Sequence, residues 1–310
     1  MQEIRPGETT SGTAQLTLNQ CRRFYAEEIR AVAGLDSPEL VAALASVPRE
    51  RFLGPPPWRF GSGTSLHPAA YRSTSDPRDL YHDVFVALQG ARSLNNGQPS
   101  LIARLLAALD PAPGKRILHV GCGTGYYTAL LAECVGPAGS VLAVEIDPDL
   151  AALAAHNLAG YSHVKVLHCD GASIEPGPSD AALINAAVTL PHPAWIHCLK
   201  PEGVLVLPLS VGRTPASHDA LAVRICRRGS AFSAEPLSIL TIFPSPSQRD
   251  PSIQAVLNRA FESHQIASLR ALRLDPHACG QSCIVHASSF CLSAEPVATA
   301  ELKESSTPAW

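Results

Sequence analysis

Apolar residues recur along this chain with two periods, and the change from one to the other marks out its regions. Cys21, Tyr25, Ile29 and Val32 return at helical spacing, which predicts an amphipathic helix over Leu18–Val32. Ser37 before Pro38 and Glu39 reads as an N-cap with proline in the first turn, opening a second helix that runs to Val47. Residues 53–79 are rich in Gly, Pro and Ser and predict an irregular loop. An extended segment at Tyr81–Leu88, a polar turn at Ser93–Gln98 and a helix from Pro99 to Leu109 follow.

From there, short and almost continuously apolar runs alternate with helix-length stretches. Strands are expected at Arg116–Val120, Ser140–Glu145, Val164–His168, Ala181–Asn185 and Val204–Pro208. Helices are expected between them at Tyr126–Cys134, Pro148–Leu158 and Pro191–Cys198. That alternation implies an α/β fold with a doubly wound, mostly parallel sheet. After Ser210 the pattern changes. Ala220–Arg227 and Leu237–Phe243, with Gly229 between them, predict antiparallel strands. A helix over Ser252–His264 carries Ile253, Val256, Leu257, Ala260 and Phe261 on one face and is expected to pack on the domain, and Ser282–Cys291 reads as a strand. The chain thus divides into a flexible N-terminus (1–15), a helical and loop segment over the pocket (16–98), an α/β domain (99–245), a C-terminal α/β extension (246–298) and a disordered tail (299–310).

Composition adds exclusions. With 46% apolar and 16% charged residues, the 310-residue chain is globular, and a net charge of −3 offers no surplus of cations for a nucleic-acid backbone. No apolar run reaches membrane-spanning length, and the first residues, MQEIRPGETTSG, lack the apolar core of a secretory signal. Nine cysteines without a CxxC pair suit a reduced, cytoplasmic protein, here expected to be a monomer. His277, Cys279, Cys283, His286 and Cys291 follow no standard zinc spacing, and strand periodicity accounts for Cys283 and Cys291, so no metal is expected.

The candidate chemistry lies at the end of the first central strand. In ILHVGCGTGYY, Gly121, Gly123 and Gly125 alternate as GxGxG. A dinucleotide fingerprint needs a glycine where Tyr126 stands, so no pyrophosphate is implied and a nicotinamide-dependent oxidoreductase is disfavoured. The turn suits S-adenosylmethionine (SAM), which has an adenosine and an amino-acid arm but no phosphate. Glu145, ending the second strand, is placed to accept hydrogen bonds from ribose hydroxyls. Asp170, after the third, is placed to accept one from the adenine amino group, with Gly171 leaving room beside it. Asn185 and Thr189 follow the fourth strand, where substrates sit in open α/β sheets.

Several stretches together resemble the protein-L-isoaspartate O-methyltransferase family. They are SVPRERF (Ser46–Phe52), the segment Tyr81–Asp83, Gln98–Pro99, HVGCGTGYYTALLA (His119–Ala132), VEIDPDL (Val144–Leu150), CDG (Cys169–Gly171) and the run Ser179–Leu209. The strand pair LAVRICRRGSAF and LSILTIF is similar too, so the likeness covers roughly residues 20–245. The resemblance implies a SAM-dependent methyltransferase acting on an isoaspartyl or aspartyl carboxylate of a protein or peptide, with Gly121, Gly123, Glu145 and Asp170 on cofactor-binding positions. Two departures stand out. His119 occupies a position where the family has an acid near the cofactor's ammonium group. Asn95, Asn96 and Gly97 stand where the family usually reads Thr-Ile-Ser, whose hydroxyls contact the substrate carboxylate. The amides of Asn95, Asn96 and Gln98 have N–H donors able to orient a carboxylate, so this loop is expected to select the substrate. Two alternatives stay open: a methyltransferase for another peptide-derived or small molecule, and a SAM-binding protein without turnover.

Overall fold

The computed structural model describes residues 15–63, 71–88, 94–212 and 218–296. Apart from residue 15, the expected flexible N-terminus lies outside these, as do Ser93 and the expected tail 299–310. The chain begins with α1 (Leu18–Ala33), held at its start by a reciprocal capping box between Thr17 and Gln20 and ended by Gly34 in the left-handed conformation. Tyr25, Ala26 and Ile29 form its buried stripe, whereas Val32 is 48% exposed. In α2 (Pro38–Ser46) the Ser37 hydroxyl accepts from Leu40 N, the cap that the Ser-Pro-Glu sequence implies.

The region expected to be an irregular loop contains strands. β1 (Trp58–Gly61) pairs antiparallel with β2 (Arg72–Thr74) and β3 (Phe85–Val86) in a small sheet ordered β2-β1-β3. Runs of two to four residues beside prolines are too short to show a period, so the pairing is specified by partners far along the chain.

The main sheet begins after α3 (Pro99–Ala108). It is built from β4 (Arg116–Val120), α4 (Tyr126–Val135), β5 (Ser140–Glu145), α5 (Pro148–Asn157), β6 (Val164–His168), β7 (Ser179–Ile184), α6 (Pro193–His197) and β8 (Leu199–Ser210). β9 (Asp219–Arg228), β10 (Ala231–Thr241), α7 (Pro251–Glu262), β11 (Ala271–Arg273), β12 (Cys283–His286) and β13 (Cys291–Ser293) complete it. The ten strands run in the order β12-β13-β11-β10-β9-β8-β7-β4-β5-β6. Strands β4 to β8 pair in parallel, as the alternation of strand and helix requires, and every pairing from β8 outward to β12 is antiparallel. The single strand expected at Ser282–Cys291 is instead a hairpin, β12 and β13, whose ladder carries an irregularity between Cys283 and Val285.

Strand periodicity sends neighbouring residues to opposite faces, which is why the central parallel strands carry buried apolar residues on both. Ile117, Val141 and Ala143 pack with Tyr25, Ile29 and Leu44 from the N-terminal helices. Leu118, Val144 and Ala182 pack on the other face with Trp195 of α6 and Leu257 of α7. Between β5 and β7, the chain leaves β4 in opposite directions, and this reversal opens a crevice at the strands' carboxyl ends.

Candidate functional site

Gly121 follows β4 at φ +77°, and a Cβ there would stand 3.2 Å from the carbonyl oxygen of Asn185. Only glycine lets the turn lie this close to the end of β7. The contact is tied by Asn185 Nδ2 donating to Gly121 O at 3.3 Å, and Asn185 Oδ1 is buried with no protein partner. Gly125, at φ +95°, serves packing: a Cβ would meet Leu158 Cδ1 at 2.8 Å, so the residue lets α4 start against the end of α5.

Glu145 ends β5 and is 7% exposed. Its Oε2 accepts from Gly123 N at 2.8 Å, while Oε1 accepts from Ile146 N at 2.9 Å and Asp147 N at 3.1 Å. Three backbone donors thus hold one carboxylate and lock the glycine turn to the tip of β5. Asp170 leaves the end of β6, its Oδ1 accepting from Ala172 N at 2.9 Å. Gly171 passes so close to β4 that a Cβ would fall 2.3 Å from Val120 Cγ1, and its carbonyl takes the Trp195 indole N–H at 2.8 Å.

A cavity of about 840 Å³ opens over these strand ends, with Gly121, Gly123, Glu145 and Asn185 on one wall. The loop residues Asn95, Asn96 and Gln98 form a second wall, and His218, just before β9, with Ile239 and Thr241 of β10 forms a third. His119, Gly125, Asp170, Gly171 and Thr189 stand off the lining. His119 is fully buried within β4. Its Nδ1 meets the Thr128 hydroxyl at 2.9 Å and its Nε2 has no partner. Burial pushes its pKa down to about 4, so the imidazole is neutral at physiological pH. Thr189 is also fully buried. Its hydroxyl accepts from Asp250 N at 2.8 Å and fastens the segment before α7 instead of facing the cavity.

The loop spends its amide groups on itself and its neighbours. Asn95 Oδ1 accepts from Gly97 N at 2.9 Å, an Asx turn. Asn96 Oδ1 accepts from Val86 N at 2.7 Å, while its Nδ2 is buried without a partner. Gln98 donates from Nε2 to Asp83 Oδ2 at 2.8 Å, and Asp83 also receives Ser100 N and Ser100 Oγ at 2.8 and 2.6 Å. Behind the loop lies Arg49, fully buried, whose guanidinium donates to Leu80 O and Val84 O, both at 2.5 Å, and sits over the rings of Tyr25 and Tyr126. Tyr127 also lines the cavity, its hydroxyl donating to Gly97 O at 3.2 Å. Arg49, Asp83, Tyr127 and His218 went unnoticed as site residues in the sequence. Arg49 and Asp83 lie in the stretches that carry the family resemblance, whereas His218 has no local signal.

Comparison with known proteins places this arrangement. Residues 67–224 match the model of the family described as protein-L-isoaspartate(D-aspartate) O-methyltransferase. A protein-L-isoaspartate O-methyltransferase of Pyrobaculum arsenaticum is 30% identical over 215 residues, which is 68% of this chain and 92% of that protein. One from Aeropyrum pernix is 33% identical over 195 residues, 61% of this chain and 67% of its own. Among solved structures, a protein-L-isoaspartate O-methyltransferase superposes with a TM-score of 0.59 at 20% identity, covering 82% of this chain and 72% of the other. A Plasmodium falciparum protein, titled as a putative enzyme of this kind in complex with S-adenosyl-L-homocysteine, superposes at 0.56 and 16% identity, covering 72% of this chain and 97% of its own. These superpositions show a shared class of fold. With the family model spanning half of it and a relative aligned over two thirds of it, the chain belongs to the protein-L-isoaspartate O-methyltransferase family.

Proposed function

We propose that this protein transfers a methyl group from SAM to a carboxylate of a protein or peptide, an isoaspartyl or aspartyl side chain in the first instance. The observation that carries the reading is Glu145, fixed by three backbone N–H groups on the wall of a cavity large enough for a cofactor and a peptide side chain. The residues present fit the cofactor. The close approach at Gly121 leaves room for its amino-acid arm, and the orphaned Asn185 Oδ1 offers an acceptor beside it. Glu145 presents a carboxylate where ribose hydroxyls belong, with Gly123 held against it, and Asp170 is the candidate partner of the adenine amino group. When bound, SAM supplies a methyl group on a sulfonium, a good leaving group. The acceptor carboxylate is ionised at neutral pH, so one C–S bond breaks as one C–O bond forms and no general base is required. The chain's task is to align donor and acceptor and to keep water out, and the loop of Asn95 and Gln98 against the sheet edge suits it.

The loop itself favours a second reading, in which the acceptor is another peptide-derived carboxylate. Gln98 Nε2 is engaged by Asp83 and Asn95 Oδ1 by its own turn, and no Thr or Ser hydroxyl stands at 95–97. Methyl-labelled SAM incubated with an isoaspartyl peptide, its aspartyl counterpart and a cell extract separates the two. Base-labile label on the isoaspartyl peptide supports the first, label confined to the extract supports the second, and absence of label despite measured SAM binding removes both. Asn95→Ala with Gln98→Ala is expected to abolish transfer while sparing SAM affinity, and unchanged turnover would remove this loop from substrate selection. We further infer action as a monomer in the cytoplasm, away from nucleic acid and membranes. The nine free cysteines support that reading. Among the described residues no helix is long and apolar enough to cross a membrane.

A further inference from the structure

Beyond the family-like region, the C-terminal hairpin gathers four residues that the sequence separates. Ligand atoms of His277, Cys283, His286 and Cys291 lie within 4.8 Å of one another. The fold explains why the spacing conceals this. Cys283 and His286 are three apart on one strand, and the period of two would send them to opposite faces. The irregularity in the ladder lets Cys283 pair with Ser293 and His286 with Cys291. Cys291 and Ser293 are two apart and share a face, so their partners share it too. His277 arrives from the loop between β11 and β12, its ring centroid 4.8 Å from that of His286. We propose that His277, Cys283, His286 and Cys291 form a closed structural zinc site that fastens the loop between β11 and β12 onto the C-terminal hairpin.

Four features support it. His277 Nε2 lies 3.6 Å from Cys283 Sγ, and bonds of about 2.0 and 2.3 Å at a tetrahedral angle place nitrogen and sulfur about 3.5 Å apart. His277 Nδ1 meets the Asp275 carbonyl at 2.8 Å, the outer hydrogen bond that fixes the tautomer leaving Nε2 free to ligate. The Gly280 amide donates to Cys283 Sγ at 3.3 Å, a contact suited to a thiolate. His286 Nδ1 is buried with no partner. Two thiolates with two imidazoles favour zinc over the hard cations. With four protein ligands no position remains open for a substrate, and none of the four lines the cavity, so the role is structural. Binding displaces the two thiol protons to solvent.

The test uses the full chain, produced with and without added Zn²⁺ under reducing conditions. Metal analysis is expected to find about one zinc per chain. Replacing zinc with Co²⁺ should give the thiolate charge-transfer and visible bands of a tetrahedral site. The double variant Cys283→Ser, Cys291→Ser should lose the metal, whereas Cys21→Ser, on α1, should keep it. Because the double variant can misfold, His277→Ala, in a loop, serves as the second probe. Its affinity for Zn²⁺ should fall by more than the ~10–100-fold that loss of an outer hydrogen-bond partner costs. A reduced chain that takes up no Zn²⁺ on titration, zinc retained by the double variant, or a Cys283–Cys291 disulfide that persists with Zn²⁺ present would each overturn the proposal.

Discussion

His119 concentrates the difference between reading a residue and seeing its surroundings. Its position in β4 marks it as the counterpart of an acid, but nothing in the sequence reveals that it is wholly enclosed, bonded to Thr128 and turned away from the cavity. The enclosure has a measurable price in acid. A histidine with its pKa depressed to about 4 stays neutral when folded but takes a proton near 6.5 when unfolded, so protons favour the unfolded chain across that interval. Its contribution is fully present above about pH 6.5 and is lost as pH falls toward 4. Urea unfolding at pH 7 and pH 5 is expected to differ by about 2 kcal/mol from this group alone. His119→Asn should remove that part of the difference. Glu145 was legible because an acid closing the second strand has one obvious use, yet its three backbone donors became visible only once the glycine turn lay beside it.

At the scale of elements, the parallel strands were legible because burial on both faces leaves continuous apolar runs that water-facing segments do not imitate. The loop over the cavity was not. Asn96 and Gln98 read as donors for a substrate, and their partners, Val86, Asp83 and Arg49, come from stretches with no local pattern linking them to it. A different cause hid the division of the expected strand at Ser282–Cys291 into β12 and β13: the extra residue in the ladder breaks the alternation from which a strand is read. Arg49 is the hub of the loop, since one planar guanidinium serves the carbonyls of Leu80 and Val84 together. Arg49→Ala is expected to cost about 2–4 kcal/mol by leaving buried carbonyls unpaired, measured by urea unfolding. Arg49→Lys should recover only part of this, because an ammonium lacks the fork.

For the molecule as a whole, the segment after Gln248 belongs to the sheet's fabric. Thr189 is tied to Asp250, α7 buries Leu257 and Ala260, and β11 completes the ladder along β10. A chain ended at Gln248 would uncover Phe232, Ile225 and neighbouring apolar side chains together with an unpaired strand edge. It is expected to aggregate, seen as a high-mass peak in size-exclusion chromatography with light scattering, although the family-matching region remains intact.

The continuous sheet also governs how the cavity can move. Strands from its parallel and antiparallel halves share the cavity's walls, and β8 and β9 between them are joined along seven successive residue pairs. A floor tied along seven successive pairs resists bending, so opening and closing are expected of the loop at 94–98 and of His218. Hydrogen exchange with and without SAM is expected to change at those two places and to leave β8 and β9 unaltered. The pace of turnover would then follow the breathing of a few surface residues, with the sheet acting as a stationary bench.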